Sequence, residues 1–194
     1  KLGDLLNEVK LDALYVTTPN TRHLEPVLEG LKNNIHIFSE KPMATSLEEA
    51  DKILKQVEKA SVIYQIGFNR RFAPVYKFAK SVIEKGELRP TLAHVKMNRG
   101  ELQEPSWVSN EKMTGGFLYE STIHLLDMMR YLMGEVARVE CLARSNVYEQ
   151  LDDFAMLLTF EGERYATFAS SAHASWVFPF ERIELFGKHS SLIT

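Results

Sequence analysis

Ile35-His36-Ile37-Phe38-Ser39-Glu40-Lys41-Pro42 is the stretch on which the reading of this chain turns. An apolar run leads into a Glu-Lys pair, and proline follows at once. Such a run reads as a strand buried in a sheet. Charge where a buried strand runs out is expensive unless it is paired or put to use. In an open α/β sheet the carboxyl ends of the strands are also where ligands bind. Lys41 is therefore the first candidate for chemistry.

The flanks of this stretch repeat its logic. Upstream, Ala13-Leu14-Tyr15-Val16-Thr17-Thr18 is a second apolar, β-branched run, read as a buried parallel strand ended by Pro19. Asn20 is expected to cap a helix carrying Leu24, Val27, Leu28 and Leu31 on one face, which Asn33-Asn34 breaks. Downstream, Ser46 and Glu49 form a capping box for a helix expected to bury Leu47, Ala50, Ile53, Leu54 and Val57. Val62–Ile66 then reads as a third strand. Strands alternating with helices predict a parallel sheet with right-handed crossovers. Residues 1–70 thus look like the second half of a doubly wound nucleotide-binding domain.

From residue 71 the rhythm changes. A helix is expected from Pro74 to Gly86, then a strand over Thr91–Asn98 and an irregular polar stretch around Glu101–Thr114. A further helix ends at Gly134. Strand-like segments follow at 138–148, 153–160, 164–171 and 181–186, with Glu161-Gly162-Glu163 as a turn. Strands in succession without helices predict a mainly antiparallel open sheet. Residues 71–194 read as an α+β substrate-binding and oligomerisation domain.

A second chemical signal lies in Gly115-Gly116-Phe117-Leu118-Tyr119-Glu120-Ser121-Thr122-Ile123-His124-Leu125-Leu126-Asp127. Glu120 and His124 are four residues apart, so on a helix they share one face, with Asp127 close to it. Neutral histidine accepts a proton near neutral pH. Asp127 reads as a structural partner for the His ring or nearby backbone. Each of these residues alone has an ordinary structural reading; their order and spacing give them weight.

Four of these segments together resemble the Gfo/Idh/MocA family of NAD(P)-dependent sugar and polyol dehydrogenases. They are Glu40-Lys41-Pro42, Thr18-Pro19-Asn20 with His23, Gly67-Phe68-Asn69-Arg70-Arg71-Phe72, and the Gly-Gly to His-x-x-Asp stretch. The resemblance implies an oxidoreductase moving a hydride between NAD or NADP and a hydroxyl-bearing carbon of a sugar, inositol or related polyol. It implies Lys41 and His124 as the catalytic pair, with Glu120 standing where an Asp is usual. Thr18, Pro19, Asn20, His23, Glu40, Lys41, Pro42 and Arg70 then face the cofactor. Lys41, Asn69, Arg71, Trp107, Glu120 and His124 face the substrate, although the adjacent arginines equally suit a domain clasp. The alternatives are an NAD-dependent, redox-assisted glycoside hydrolase and a non-catalytic cofactor-binding homologue.

Composition narrows the classes further. The chain has 194 residues, 45% of them hydrophobic and 25% charged, with a net charge of −3. That balance gives no electrostatic reason to expect nucleic acid or an anionic membrane as partner, and no apolar run approaches the ~20 residues that span a bilayer. A lone cysteine, Cys141, cannot form an internal disulfide and is expected to pack as a small hydrophobe; a cytoplasmic setting follows as the default. Met113, Met128, Met129 and Met133 read as core filler at helical spacing, and the absence of metal-ligand spacing leads us to expect no metal. Trp176, Phe178 and Phe180 are expected to pack on the sheet or at a homodimer or homotetramer interface. No G-x-G-x-x-G is present, so the chain reads as an incomplete part of such an enzyme, inactive and weak in cofactor binding by itself.

Overall fold

Strand and helix alternate through α1 (Leu2–Glu8), β1 (Ala13–Val16), α2 (Leu24–Lys32), β2 (His36–Ser39), α3 (Leu47–Val57) and β3 (Tyr64–Ile66). The computed structural model describes residues 2–99, 105–174 and 180–194. Past β3 the chain supplies α4 (Pro74–Glu84) and β4 (Pro90–Asn98) to a second unit, then gives α5 (Glu111–Thr114) back to the first. The first unit comprises residues up to 68 together with 110–120, and the second 69–109 with 121–194. Segment 110–120, which lies well past the boundary expected at residue 70, packs with the first unit.

In the first unit the three strands pair in parallel in the order β1-β2-β3. Their core is Val16, Val27, Leu31, Ile37, Ala44 and Ile53. Gly30 lets α2 approach the sheet: a Cβ there would meet Ile37 Cδ1 at 2.9 Å. Three expectations need correcting. β1 is not buried throughout, since Tyr15 is 72% exposed. Asn20 caps no helix; it opens a 3-10 turn, Asn20–Arg22, and α2 starts only at Leu24. In α3, Glu49 N donates to Ser46 Oγ at 3.2 Å as the capping box requires, but Leu47 and Leu54 are exposed. At about 100° per residue, Ala50, Ile53 and Val57 fall within one arc, and the two leucines lie on its shoulder.

The second unit is built on a six-stranded sheet. Its further elements are α6 (Ile123–Met133), β5 (Val136–Arg144), β6 (Asp153–Phe160), β7 (Tyr165–Ser171), β8 (Glu181–Gly187) and β9 (Ser190–Ile193). The strand order is β5-β6-β7-β4-β8-β9, antiparallel except where β4 runs parallel to β7. Met128, Met129 and Met133 on α6 are fully buried, as core filler should be. β5 stops at Arg144 rather than 148 because Asp152 ties down the next residues, accepting from the backbone N–H groups of Asn146, Val147 and Tyr148. Cys141 is exposed rather than packed, because β5 is an edge strand with almost no covered face. Phe180 is 37% exposed, whereas Trp176 and Phe178 lie outside the described residues. No helix among those residues is long and apolar enough to cross a membrane.

Candidate functional site

In the first unit, the loops leaving the ends of β1 and β2 meet the segment that follows α5. Lys41 comes two residues after β2, and its Nζ donates to the Glu120 carbonyl at 2.7 Å. The same Nζ lies 3.4 Å from Glu120 Oε2, with both side chains only 11% exposed. Asn20, buried, donates from Nδ2 to the same Oε2 at 2.8 Å and to the Thr114 carbonyl at 2.9 Å. Asn20, Lys41 and Glu120 thus form one connected polar group, although the sequence separates them widely.

His23 is fully buried and links the same loops. Its Nδ1 lies 2.8 Å from the Pro42 carbonyl oxygen and its Nε2 2.9 Å from that of Thr18. Either ring nitrogen, when protonated, donates to a carbonyl, so the ring ties the Thr18-Pro19 loop to the Lys41-Pro42 loop. Thr18 and Glu40 are exposed, Pro19 is half-buried and Pro42 buried. Gly115 is required by its surroundings: its φ is +80°, and a Cβ would come within 2.7 Å of Thr45 Cγ2.

The other sequence-predicted residues belong to the second unit. His124 stands in the first turn of α6 and is 8% exposed. Leu118–Thr122, just before it, is a π-helical turn, so the 3.6-residue spacing used to group Glu120 with His124 holds only from Ile123 onward. Arg71 clasps Asp127 through two hydrogen bonds, Nε at 2.7 Å and Nη2 at 2.5 Å, and lies 5.2 Å from the Tyr131 ring centre. That pairing raises the Arg71 pKa above its ordinary value. Arg70 pairs with Glu181. Both arginines are therefore spent on partners within their own unit. Asn69 is exposed, and Trp107 is 41% exposed in a 3-10 turn.

Two features escaped the sequence reading. Arg99, just past β4, donates to Ser121 Oγ at 2.7 Å; a charge beyond a strand end was its available signal. Asp152, Asp153 and His173 also converge, their ligand-type atoms all within 4.8 Å of one another. No spacing rule joins an Asp pair to a His on a different strand end. The hydrogen bond from His173 Nε2 to Asp153 Oδ2, at 2.7 Å, raises the His173 pKa. Burial pushes the Asp153 carboxyl up, but hydrogen bonds from His173 and Asn146 outweigh it and hold it below its usual value. Asp152 is likewise raised by burial and lowered, on balance, by its three backbone donors. A groove of about 780 Å³ crosses the outer sheet face past Lys96, Glu140, Leu142, Leu157, Arg182 and Glu184; none of the candidate site residues lines it.

Residues 1–68 match the oxidoreductase family with an NAD-binding Rossmann fold, and residues 76–193 match the GFO/IDH/MocA C-terminal domain. The chain belongs to the Gfo/Idh/MocA family. An uncharacterized oxidoreductase, YrbE, of Bacillus subtilis is 33% identical over 97% of this chain and 56% of its own length. Myo-inositol 2-dehydrogenase of Thermotoga maritima is 30% identical over 95% of this chain and 56% of its own. The 2,7-anhydro-N-acetylneuraminate hydratase of Escherichia coli is 30% identical over 90% and 50%. Among solved structures, a probable dehydrogenase from Thermotoga maritima superimposes with a TM-score of 0.87 at 28% identity, over 100% of this chain and 60% of that one. The chain spans about half the length of the curated Gfo/Idh/MocA relatives it matches.

Proposed function

We propose that the whole protein is an NAD(P)-dependent oxidoreductase acting on a hydroxyl-bearing carbon of a sugar, inositol or related polyol, with Lys41 and His124 as its acid–base residues. One observation carries this reading: a lysine at the end of a central parallel strand, held by both the carbonyl and the carboxylate of Glu120. An ammonium so placed is positioned to hydrogen-bond a substrate hydroxyl and to pass on its proton. In this reading His124 is the general base, and Glu120 orients the lysine or holds a neighbouring substrate hydroxyl. Thr18, Pro19, Asn20, Glu40 and Pro42, at or beside the strand ends, fit the place where such sheets take a dinucleotide, with His23 tying their loops. When bound, the nicotinamide supplies the hydride acceptor.

The test is an absorbance screen of the whole protein with NAD or NADP against inositols, aldoses and sugar acids. Lys41→Ala is expected to lower kcat by about 10²- to 10⁴-fold; turnover within a few-fold of the parent would sink the mechanism. Neither the hydrolase nor the non-catalytic reading gains support from the geometry. The hydratase among the relatives is reason to score, in the same screen, substrate conversion without net cofactor reduction. The same reading places the protein in the cytoplasm as a homodimer or homotetramer, with the outer sheet face, where Leu142 is 68% exposed, as its contact surface. Sedimentation velocity checks that assembly, and a monomer at micromolar concentration would refute it.

A further inference from the structure

We propose that Asn20 is a positioning residue: its side-chain amide fixes the Glu120 carboxylate at the place where that carboxylate pairs with Lys41. The inference rests on the role given to Lys41 above and departs from the expectation that Asn20 serves the cofactor.

The chemistry of the partners decides the orientation of the amide. Thr114 offers a carbonyl oxygen and Glu120 a carboxylate oxygen, both acceptors only, so the atom facing them is Nδ2. An NH₂ group has two hydrogens, and both are used here. Asn20 is 7% exposed, and Thr114 closes α5 just before Gly115 turns the chain. The turn carrying Asn20 is anchored to α5 a second time, because the one hydroxyl hydrogen of Thr21 is shared between the carbonyls of Lys112 and Met113, each 3.3 Å from Oγ1. The amide therefore projects from a braced turn, whereas Glu120 is a long side chain with rotamer freedom to lose.

The glutamate at a position where the resemblance implies an aspartate gains a purpose from this geometry. One Oε2 meets Asn20 at 2.8 Å and Lys41 at 3.4 Å at the same time. A carboxylate one methylene shorter would have to give up one of these partners or drag its backbone after it. Without the amide, the carboxylate samples other rotamers, its average contact with Lys41 weakens, and the ammonium loses an opposite charge that favours it.

The experiment is acetylation of lysines in the whole protein with acetic anhydride across a pH series, read peptide by peptide by mass spectrometry. Lys52 serves as internal reference, and circular dichroism confirms that each variant is folded. In Asn20→Ala the midpoint of Lys41 labelling is expected to fall by on the order of one pH unit, with Lys52 unmoved. Glu120→Gln should give the same fall, and the double variant should add nothing to it. Glu120→Asp, which keeps Asn20 and the charge, should also fall and covers the case in which Asn20→Ala does not fold. A native midpoint in either Asn20→Ala or Glu120→Asp, or an additive double variant, overturns the proposal. Where turnover is measurable, Asn20→Ala should lower kcat about tenfold with the cofactor KM unchanged; a raised cofactor KM with a native midpoint would return Asn20 to the cofactor. Labelling needs neither substrate nor cofactor. A protein silent in the oxidation screen but shifted in labelling therefore refutes the proposed function and leaves the role of Asn20 standing.

Discussion

Two carboxylates of this chain, one buried and one largely so, are paired in opposite ways. Asp127, 6% exposed, meets Arg71 through two short parallel hydrogen bonds on a rigid fork. Glu120, 11% exposed, meets the flexible Lys41 at 3.4 Å and shares the same oxygen with an amide. A bidentate guanidinium pair satisfies both oxygens and cannot lose its proton. A lysine pair with one longer contact leaves an ammonium whose ionisation its neighbours can tune. The first arrangement braces a helix; the second leaves a single lysine nitrogen between a carbonyl and a carboxylate of one residue.

The largest effect expected from that contrast is on stability. Arg71→Ala strands the Asp127 carboxylate without its partner and should cost about 2 to 3 kcal/mol, less than breaking a fully buried pair because Arg71 is itself partly exposed. Glu120→Gln, which removes a charge but keeps the shape, should cost less than half of that in thermal unfolding while damaging turnover far more. Equal stability losses in the two variants would erase the distinction between brace and working pair. Gly115→Ala probes the backbone on which the working pair depends, since it demands φ of +80° from a residue that would also press Thr45. We expect a loss of about 1 to 2 kcal/mol and a midpoint of unfolding lower by several degrees; an unchanged midpoint would mean that this segment relaxes freely.

The smallest effect sharpens the contrast with a third pair. His173, raised by Asp153, contributes stability that is full below its unfolded value of about 6.5 and is lost as pH rises through its higher folded value. Asp153, lowered, contributes above its unfolded value and loses that contribution only as pH falls through its folded one. Between these limits the pair is complete, with Asp152 alongside. His173→Gln should therefore be less stable than the parent at pH 5 and close to it at pH 9 in paired melts. A deficit independent of pH would assign the effect to packing rather than charge.

How much of this the sequence announced depends on how local each signal was. Lys41 could be read because an ionised group sits where an apolar run ends, and α6 could be read because its buried methionines recur at helical spacing. The partners of Asn20 could not, since Thr114 and Glu120 lie 94 and 100 residues away and no pattern near Asn20 points to them. A cap was the local expectation, and a tertiary contact outbid it. The exposed shoulder of α3 was misread because a hydrophobic stripe records which residues share a helix side, not how wide a surface covers it. The π-turn at Leu118–Thr122 leaves no trace in composition. The arginines at 70 and 71 fit either ligand or clasp by type, and their acidic partners, Glu181 and Asp127, become visible only in the fold.

The central place of β4 has a consequence for how the protein is made. Leu92 has Tyr165 on one side and Phe186 on the other. A ribosome that has delivered residues 90–98 must therefore go on past residue 165 before that strand can begin its ladder with β7, and past residue 181 for the one with β8. The three parallel strands of the first unit face no such wait, for β2 pairs with β1 and β3 with β2, each with a partner made shortly before it. Contacts between distant residues slow folding through the entropy of closing long loops. Synthesis thus runs ahead of the larger sheet, and a chain halted near residue 160 leaves the ribosome with the first unit's sheet paired and β4 still without either neighbour.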